Sequence, residues 1–310
     1  MPTRKGSIHL FRLFGVDVFL HWWWFLVAVY EIQSRAGFYS SITWNIVEYL
    51  ALFLIVLMHE FGHALACRQV GGRADRIVLW PLGGVAYVDP PQRPGATLWS
   101  IAAGPLVNVA LIPVLLALYS FGRSSGWAVS LPDIYKLIRA LLYIDVGLLI
   151  FNILPIYPLD GGQILRSLLW FVLGRARSLL VATILGLLGV VGFIGLAIYS
   201  RDAWLGIVAF YMLMNCWGGL KHAQDLVKMA KLPRRDGFQC PSCNTAPPAG
   251  TYWKCSNCGQ AFDTFQTGAV CPSCRTQFPT TRCLDCGHLH PMSQWAGASL
   301  LPSNSEIVAK

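Results

Sequence analysis

The sequence predicts a mainly α-helical, polytopic membrane protein with about six transmembrane helices and a small membrane-associated β-hairpin or sheet, followed by a small cysteine-rich zinc-ribbon domain. Apolar residues make up 55% of the 310 residues and charged residues only 13%, about half of the roughly 25% that is usual in soluble domains. The apolar residues cluster between positions 18 and 220 in runs long enough to cross a bilayer, and cysteines in C-x-x-C pairs follow them. This composition excludes a disordered chain, a fibrous protein and an ordinary cytosolic enzyme.

The order of these features divides the chain into four regions. We expect a transmembrane domain over residues 1–220, a basic linker over 221–239, a double zinc ribbon over 240–290 and a flexible tail over 291–310. A helix needs roughly 20 apolar residues to cross the hydrocarbon layer. By that measure the predicted spans are 19–33, 46–67, 96–119, 137–154, 179–199 and 203–220.

The distribution of Lys and Arg predicts the orientation of the protein. Six spans place both termini on one side of the membrane, and the segments on that side hold fifteen Lys and Arg residues against five on the other. The positive-inside rule then places both termini in the cytoplasm, and we expect a multi-pass protein of a prokaryotic plasma membrane. Because topology explains most of the net charge of +9, no nucleic-acid partner is expected.

A β-hairpin is predicted between the second and third spans. Two short β-prone runs within residues 76–88 flank the turn-forming segment Pro81-Leu-Gly-Gly84. An exposed edge of such a hairpin would accept an extended peptide by strand addition, which makes Gly83 and Gly84 candidate substrate-binding residues. The alternative, a packed hairpin without a role in ligand binding, stays open.

The second predicted span ends in the motif His59-Glu60-Phe61-Gly62-His63. Residues four apart lie on one face of a helix, so both imidazoles can hold one zinc ion. Glu60 then lies close enough to take a proton from zinc-bound water, which makes it the candidate catalytic base. The alternative is a pair of packed histidines, but a buried ionisable Glu in a spanning helix is costly and indicates a functional site.

A catalytic zinc site usually has three protein ligands and one open position. The best third ligand is Asp160, which follows Pro155 and Pro158 at the broken end of the fourth span. By the predicted topology it lies at the same depth as the two histidines. The alternative is that Asp160 caps the helix that begins near Gly161. Asn152 is a candidate for hydrogen-bonding a substrate backbone or an oxyanion, or for capping carbonyls that the broken helix exposes.

The two motifs His59–His63 and Pro158-Leu-Asp-Gly-Gly162 together resemble the site-2 protease family of intramembrane zinc metalloproteases. The resemblance covers roughly residues 6–220 and includes weaker matches at Gly15-Val16, His21-Trp22, Gly83-Gly84 and Ala103-Gly-Pro-Leu-Val-Asn108. It implies that His59, His63 and Asp160 bind zinc, that Glu60 is the catalytic base, and that the substrates are membrane-spanning segments. The sequence departs from the family pattern because Tyr157 precedes Pro158 where an asparagine is expected, and the nearest asparagine is Asn152.

The expected function is therefore hydrolysis of peptide bonds in or near transmembrane segments of membrane proteins, that is, regulated intramembrane proteolysis within the lipid bilayer. Two functions of other classes compete with it. A transporter would use the buried His, Glu and Asp residues as an ion path, and a non-catalytic membrane anchor would only present the zinc ribbon to a partner.

The C-terminal region contains four C-x-x-C pairs, whose spacing indicates two structural zinc sites with four thiolate ligands each. Sequential pairing of the motifs gives a double zinc ribbon, and a cross-braced pairing stays open. The predicted total is thus one catalytic and two structural Zn²⁺ ions. A protein partner or a plain folded cap are the two expected roles of this region. Its cysteines are Cys240, Cys243, Cys255, Cys258, Cys271, Cys274, Cys283 and Cys286.

Overall fold

The computed structural model describes residues 6–80 and 83–295. The chain divides into two compact units, Met1–Leu220 and Lys221–Lys310. The turn residues Pro81 and Leu82 of the predicted hairpin lie outside the described residues, as does the predicted tail from residue 296 onward.

The first unit is mainly helical. Its helices begin where the sequence supplies suitable residues: Pro94 and Pro132 each stand in the first turn of a helix, where the missing N–H of proline costs nothing. The helices are α1 (Trp23–Ser34), α2 (Ile42–Gln69), α3 (Pro94–Ser124), α4 (Trp127–Ser130), α5 (Pro132–Ile153), α6 (Asp160–Ser200) and α7 (Ala203–Ala230).

Four of the described helices, α2, α3, α6 and α7, are long and apolar enough to cross a membrane. Two of the six predicted spans, 19–33 and 137–154, do not correspond to any of these four helices. Helix α1 has 12 residues and is about 18 Å long, because the start of the predicted span 19–33 forms a β-strand instead. Helix α5 is long enough but carries four charged residues, namely Asp133, Lys136, Arg139 and Asp145. The protein is a mainly helical membrane protein, as predicted.

The sheet of the first unit has four strands in the order β1-β2-β3-β4. They are β1 (Ser7–Leu13), β2 (Val16–His21), β3 (Arg73–Trp80) and β4 (Gly83–Asp89). The last two pair in antiparallel fashion, with Trp80 opposite Gly83, so the predicted hairpin is confirmed. Strand β2 runs parallel to β3, which leaves β4 at one edge of the sheet.

Helix α2 packs one face against this sheet. Leu57, Phe61 and Ala64 recur at helical spacing and share a buried cluster with strand residues such as Val18 and Ile77. A helix has about 3.6 residues per turn. When these residues face the sheet, positions 59 and 63 therefore lie on the opposite side of the helix. The contact of this face of α2 with the sheet therefore places both histidines toward the neighbouring helices.

The second unit is built from four similar turns around the C-x-x-C pairs. In each turn, the N–H of the residue four positions after the first cysteine donates to the carbonyl of that cysteine, at 2.8 to 3.0 Å. The donor residue has a positive φ in every case. Glycine adopts this conformation at no steric cost, and in two of the four turns the donor is a glycine. The donors are Asn244, Gly259, Arg275 and Gly287.

The second unit also extends beyond the predicted ribbon of residues 240–290. Arg234 forms an ion pair with Asp285 at 2.7 Å, and Arg235 pairs with Asp263. Trp295 is 1% exposed and packs edge-on against Phe265 at 4.9 Å between ring centroids. The end of the predicted linker and the start of the predicted tail are therefore parts of the folded unit, and α7 includes the start of that linker.

Candidate active site

Helices α2 and α6 bring the three predicted metal ligands together. His59 and His63 lie one turn apart on α2, with their Nε2 atoms 3.1 Å from each other. One carboxylate oxygen of Asp160, Oδ2, lies 3.0 Å from Nε2 of His59 and 3.3 Å from Nε2 of His63. Both histidines are buried, so the three atoms converge in the protein interior.

Hydrogen bonds at the far side of each imidazole determine which nitrogen faces the cluster. Nδ1 of His63 lies 2.9 Å from the backbone carbonyl of Ser100, and Nδ1 of His59 lies 2.6 Å from Oδ1 of Asn108. Both partners are acceptors, so each Nδ1 must carry the proton. Each Nε2 is left as a lone-pair donor that points at Asp160.

This arrangement fits a zinc ion. Two neutral imidazoles protonated at Nδ1 would present lone pairs to the same carboxylate oxygen, and such a set of acceptors needs a cation to be stable. Two nitrogen ligands and one oxygen ligand form a donor set that catalytic zinc sites use. The three atoms all lie within 4.8 Å of one another, which is close enough for one ion to reach all of them.

Asp160 reaches this position because the chain breaks before it. Helix α5 ends at Ile153 and α6 begins at Asp160, as the two prolines between them predict. Gly161 and Gly162 press against the backbone of residues 153–157 so closely that any side chain on them would collide with it. The N-cap position is Leu159, and no side chain caps this helix end. The alternative of a capping role for Asp160 is therefore wrong, since its carboxylate contacts the histidines.

Glu60 lies beside the cluster, between α2 and the edge strand of the sheet. It is 5% exposed, and its Oε2 accepts a hydrogen bond of 2.7 Å from the backbone N–H of Ala86. A side chain at Gly84 would collide with the Glu60 carboxyl group, so the bare backbone of β4 is what leaves room for it. The hydrogen bond from β4 thus holds the carboxylate at the site.

A cavity of about 380 Å³ opens in front of these groups. Its wall contains His59, Glu60, His63 and Asp160 together with all three predicted substrate-binding residues, Asn152, Gly83 and Gly84. Sequence analysis did not point to three polar residues that also line it. They are Gln163 on α6 and Tyr211 and Asn215 on α7.

Two further polar residues lie behind the histidines. From the sequence, Asp145 is expected to be an interfacial or paired structural group, with a water path as the alternative, whereas Asn108 belongs only to the weak match at residues 103–108. In the structure both are completely buried, and Nδ2 of Asn108 donates a 2.5 Å hydrogen bond to Oδ1 of Asp145. The lone carboxylate in an otherwise apolar stretch marks Asp145 in the sequence, but its link to Asn108 and His59 is seen only in the structure.

The cysteines of the second unit form two groups of four. The first C-x-x-C pair joins the fourth, and the second pair joins the third. Sequential pairing is therefore wrong, and the arrangement is nested rather than cross-braced. The closest Sγ atoms across each group lie 3.6 to 3.8 Å apart. Four thiolates around zinc at about 2.3 Å are about 3.8 Å apart, whereas disulfide sulfurs are separated by about 2.05 Å, so the spacing fits zinc.

Known proteins with similar sequences include a zinc metalloprotease. The profile of Peptidase family M50 matches residues 47–196. A zinc metalloprotease of Methanocaldococcus jannaschii is 33% identical over 180 residues, 58% of this chain and 50% of its own length. A Synechocystis protein is 27% identical over 253 residues, 75% of this chain and 64% of its own length. The chain thus spans between half and two thirds of these curated relatives.

A solved structure supports the same relationship. The site-2 protease from Methanocaldococcus jannaschii superimposes with a TM-score of 0.50 at 26% sequence identity, covering 69% of this chain and 95% of that one. The range of residues that matches the family profile includes both histidines, Glu60 and Asp160. Residues 47–196 of this chain are therefore similar to Peptidase family M50, and the chain resembles the site-2 protease of Methanocaldococcus jannaschii in its fold.

Proposed function

We propose that this protein is an intramembrane zinc metalloprotease, which hydrolyses peptide bonds in or near the transmembrane segments of other membrane proteins. The observation that carries the proposal is the convergence of His59, His63 and Asp160 beside the Glu60 carboxylate. The cluster belongs to helices that are apolar enough to span a membrane, which supports a substrate in the same bilayer. The zinc metalloprotease among the relatives supports the reaction class.

The edge of strand β4 supports a way to hold the substrate. The N–H of Ala86 donates to Glu60 rather than to β3, so this edge of the sheet faces the cavity. A helical substrate hides its carbonyl groups in its own hydrogen bonds and must be unwound locally before it can be cut. An unwound segment could then pair with β4 by strand addition. Asn152, in the same wall of the cavity, would donate its amide to the extended backbone.

The reaction follows from the chemistry of these groups. Zinc held by His59, His63 and Asp160 would supply Lewis acidity, which polarises the scissile carbonyl and makes water more acidic. Glu60 accepts the proton of the attacking water and delivers it to the leaving amine. The Ala86 N–H keeps the carboxylate turned toward the cavity during both transfers.

The proposal is tested by reconstituting the full chain in liposomes with a panel of tagged single-span membrane proteins. We expect cleavage within or near the span of at least one of them, identified by mass spectrometry of the fragments. Cleavage should stop after zinc chelation, return when zinc is added back, and be absent for Asp160→Ala. Co-purification of a substrate that is never cut by the zinc-loaded chain would instead support a non-catalytic anchor.

Orientation in the membrane is part of the same proposal. If α1 and α5 cross the membrane together with the four longer helices, the excess of Lys and Arg in the segments on the side of the termini supports a cytoplasmic location for both ends. A reducing cytoplasm would keep the eight ribbon cysteines as thiols, which agrees with their spacing. The nested ribbon would then be a zinc-dependent cap or protein-binding module on the cytoplasmic side, with one structural zinc ion in each of its two groups.

The nested pairing makes a specific prediction for zinc content. Cys240→Ala combined with Cys286→Ala damages only one site and should cost one zinc ion per chain. Cys240→Ala combined with Cys255→Ala damages both sites and should cost two. Sequential pairing predicts the reverse, because Cys240 and Cys255 would then share a site. Elemental analysis of the purified chains separates the two cases, and equal losses in both double variants would contradict the nested arrangement.

A further inference from the structure

Asp145 is a buried charge that the proposed reaction does not use. It lies in the middle of α5 and is 0% exposed. Its Oδ1 accepts the hydrogen bond from Asn108, while no described residue hydrogen-bonds its Oδ2. A carboxylate held in an apolar interior costs several kcal/mol unless a partner compensates for it. Asp145 therefore needs an explanation beyond packing.

The position of Asp145 supplies that explanation. Asp145, Asn108 and His59 form a chain of two short hydrogen bonds, 2.5 and 2.6 Å long, across helices α5, α3 and α2. A side-chain amide has a donor end and an acceptor end, and it can turn over to exchange them. A carboxylate only accepts, so Asp145 requires the NH₂ group of Asn108 to face it. The amide oxygen must then face His59.

Comparison with His63 shows why only His59 needs a residue that fixes the orientation of its hydrogen-bond partner. His63 bonds to the backbone carbonyl of Ser100, which is always an acceptor and cannot turn over. His59 bonds to an amide instead. If this amide turned over, its NH₂ group would face Nδ1 of His59, the ring proton would move to Nε2, and that nitrogen could no longer bind a metal.

We propose that Asp145 and Asn108 are positioning residues of the metal centre, which act in series to hold His59 in the form that binds zinc. Asp145 orients the Asn108 amide, and Asn108 orients and polarises the imidazole. The inference rests on the proposed zinc site and extends it to two residues that contact neither the metal nor the substrate. Loss of such an outer partner typically lowers metal affinity about 10- to 100-fold.

The test measures the zinc affinity of the full chain in detergent by competition with a graded series of chelators. Asn108→Leu and Asp145→Leu replace each polar group by an apolar one of similar size, and each should weaken binding about 10- to 100-fold. Because Asp145 acts only through Asn108, the double Leu variant should be no weaker than Asn108→Leu alone. Losses that add in the double variant would overturn the serial arrangement.

A swapped pair provides the rescue. In the double variant Asn108→Asp with Asp145→Asn, the carboxylate at 108 accepts from both His59 and the amide at 145, while the total charge and composition stay the same. We expect its zinc affinity to return to within a few-fold of the native chain, with the visible absorption of the cobalt-substituted site restored. Asp and Asn are nearly equal in size, so the swap keeps the packing and again places a group that only accepts beside His59. A swapped chain that binds zinc as weakly as the Leu variants would contradict the positioning role.

Two further variants complete the design. Asp133→Leu, in the first turn of the same helix, where the carboxylate accepts a hydrogen bond from Ser40, should leave zinc affinity unchanged. His59→Ala should lose one zinc ion per chain. If it keeps all of its zinc, the proposed metal site itself is wrong. If it loses one ion while Asn108→Leu and Asp145→Leu bind as tightly as the native chain, only the positioning role is wrong.

Discussion

Replacing Glu60 with Gln is expected to abolish proteolysis while leaving the metal site filled. Gln has the same size, and its side-chain oxygen can still accept the hydrogen bond from Ala86 that now holds the carboxylate. It cannot take a proton from water, and general-base catalysis typically contributes about 10²- to 10⁴-fold to the rate. We expect cleavage to fall by about that factor, measured as fragment release per chain, with zinc content equal to that of the native protein.

Helix α2 offers a matched control for this substitution. Glu48 is also a buried glutamate on α2, but its partners are Arg35 at 3.1 Å and Tyr39, away from the cavity. Glu48→Gln should therefore retain cleavage, although the loss of a charged partner for Arg35 is expected to lower thermal stability. If Glu60→Gln cleaves within about tenfold of the native rate, another group is the base.

A single methyl group at position 104 is expected to empty the metal site. Gly104 on α3 lies directly against both histidines, and a Cβ there would collide with the ring of His63 and reach within 2.8 Å of Nε2 of His59. The imidazole lone pairs converge at this point. The methyl group would therefore occupy the space of the metal ion, and a small rotation of the imidazoles would not make room for both. We expect Gly104→Ala to bind one zinc ion fewer per chain, by elemental analysis, and to lose proteolytic activity.

The control for this prediction is Gly147→Ala on α5. A Cβ at this position meets nothing within 4 Å, and alanine favours the helix over glycine by about 1 kcal/mol. We expect this variant to keep its zinc and its activity and to be slightly more stable. A Gly104→Ala chain with full zinc content would mean that α2 and α3 can separate at the site, which would contradict the close packing that holds the ligands.

The parts of this protein that depend on local spacing could be predicted from the sequence. Residues 59 and 63 share a helix face whatever surrounds them, because the helix repeat is fixed by backbone hydrogen bonds. Pro155 and Pro158 stand close together and each removes a backbone donor that a helix needs. A break between α5 and α6 could therefore be predicted there, with Asp160 at the start of the next helix. The hairpin of β3 and β4 and the four C-x-x-C turns follow from equally local patterns.

What only the tertiary structure decided is which distant elements meet. The membrane prediction counted apolar residues and so assigned a span at 19–33, whereas residues 16–21 form a strand because β3 offers a partner of matching register. The nested pairing of the cysteines and the chain from Asp145 through Asn108 to His59 likewise join segments that are far apart in sequence. The local period of a helix or strand determines which face of that element a residue lies on. Which residue it contacts depends on how whole elements pack together, and this packing produces no periodic pattern in the sequence.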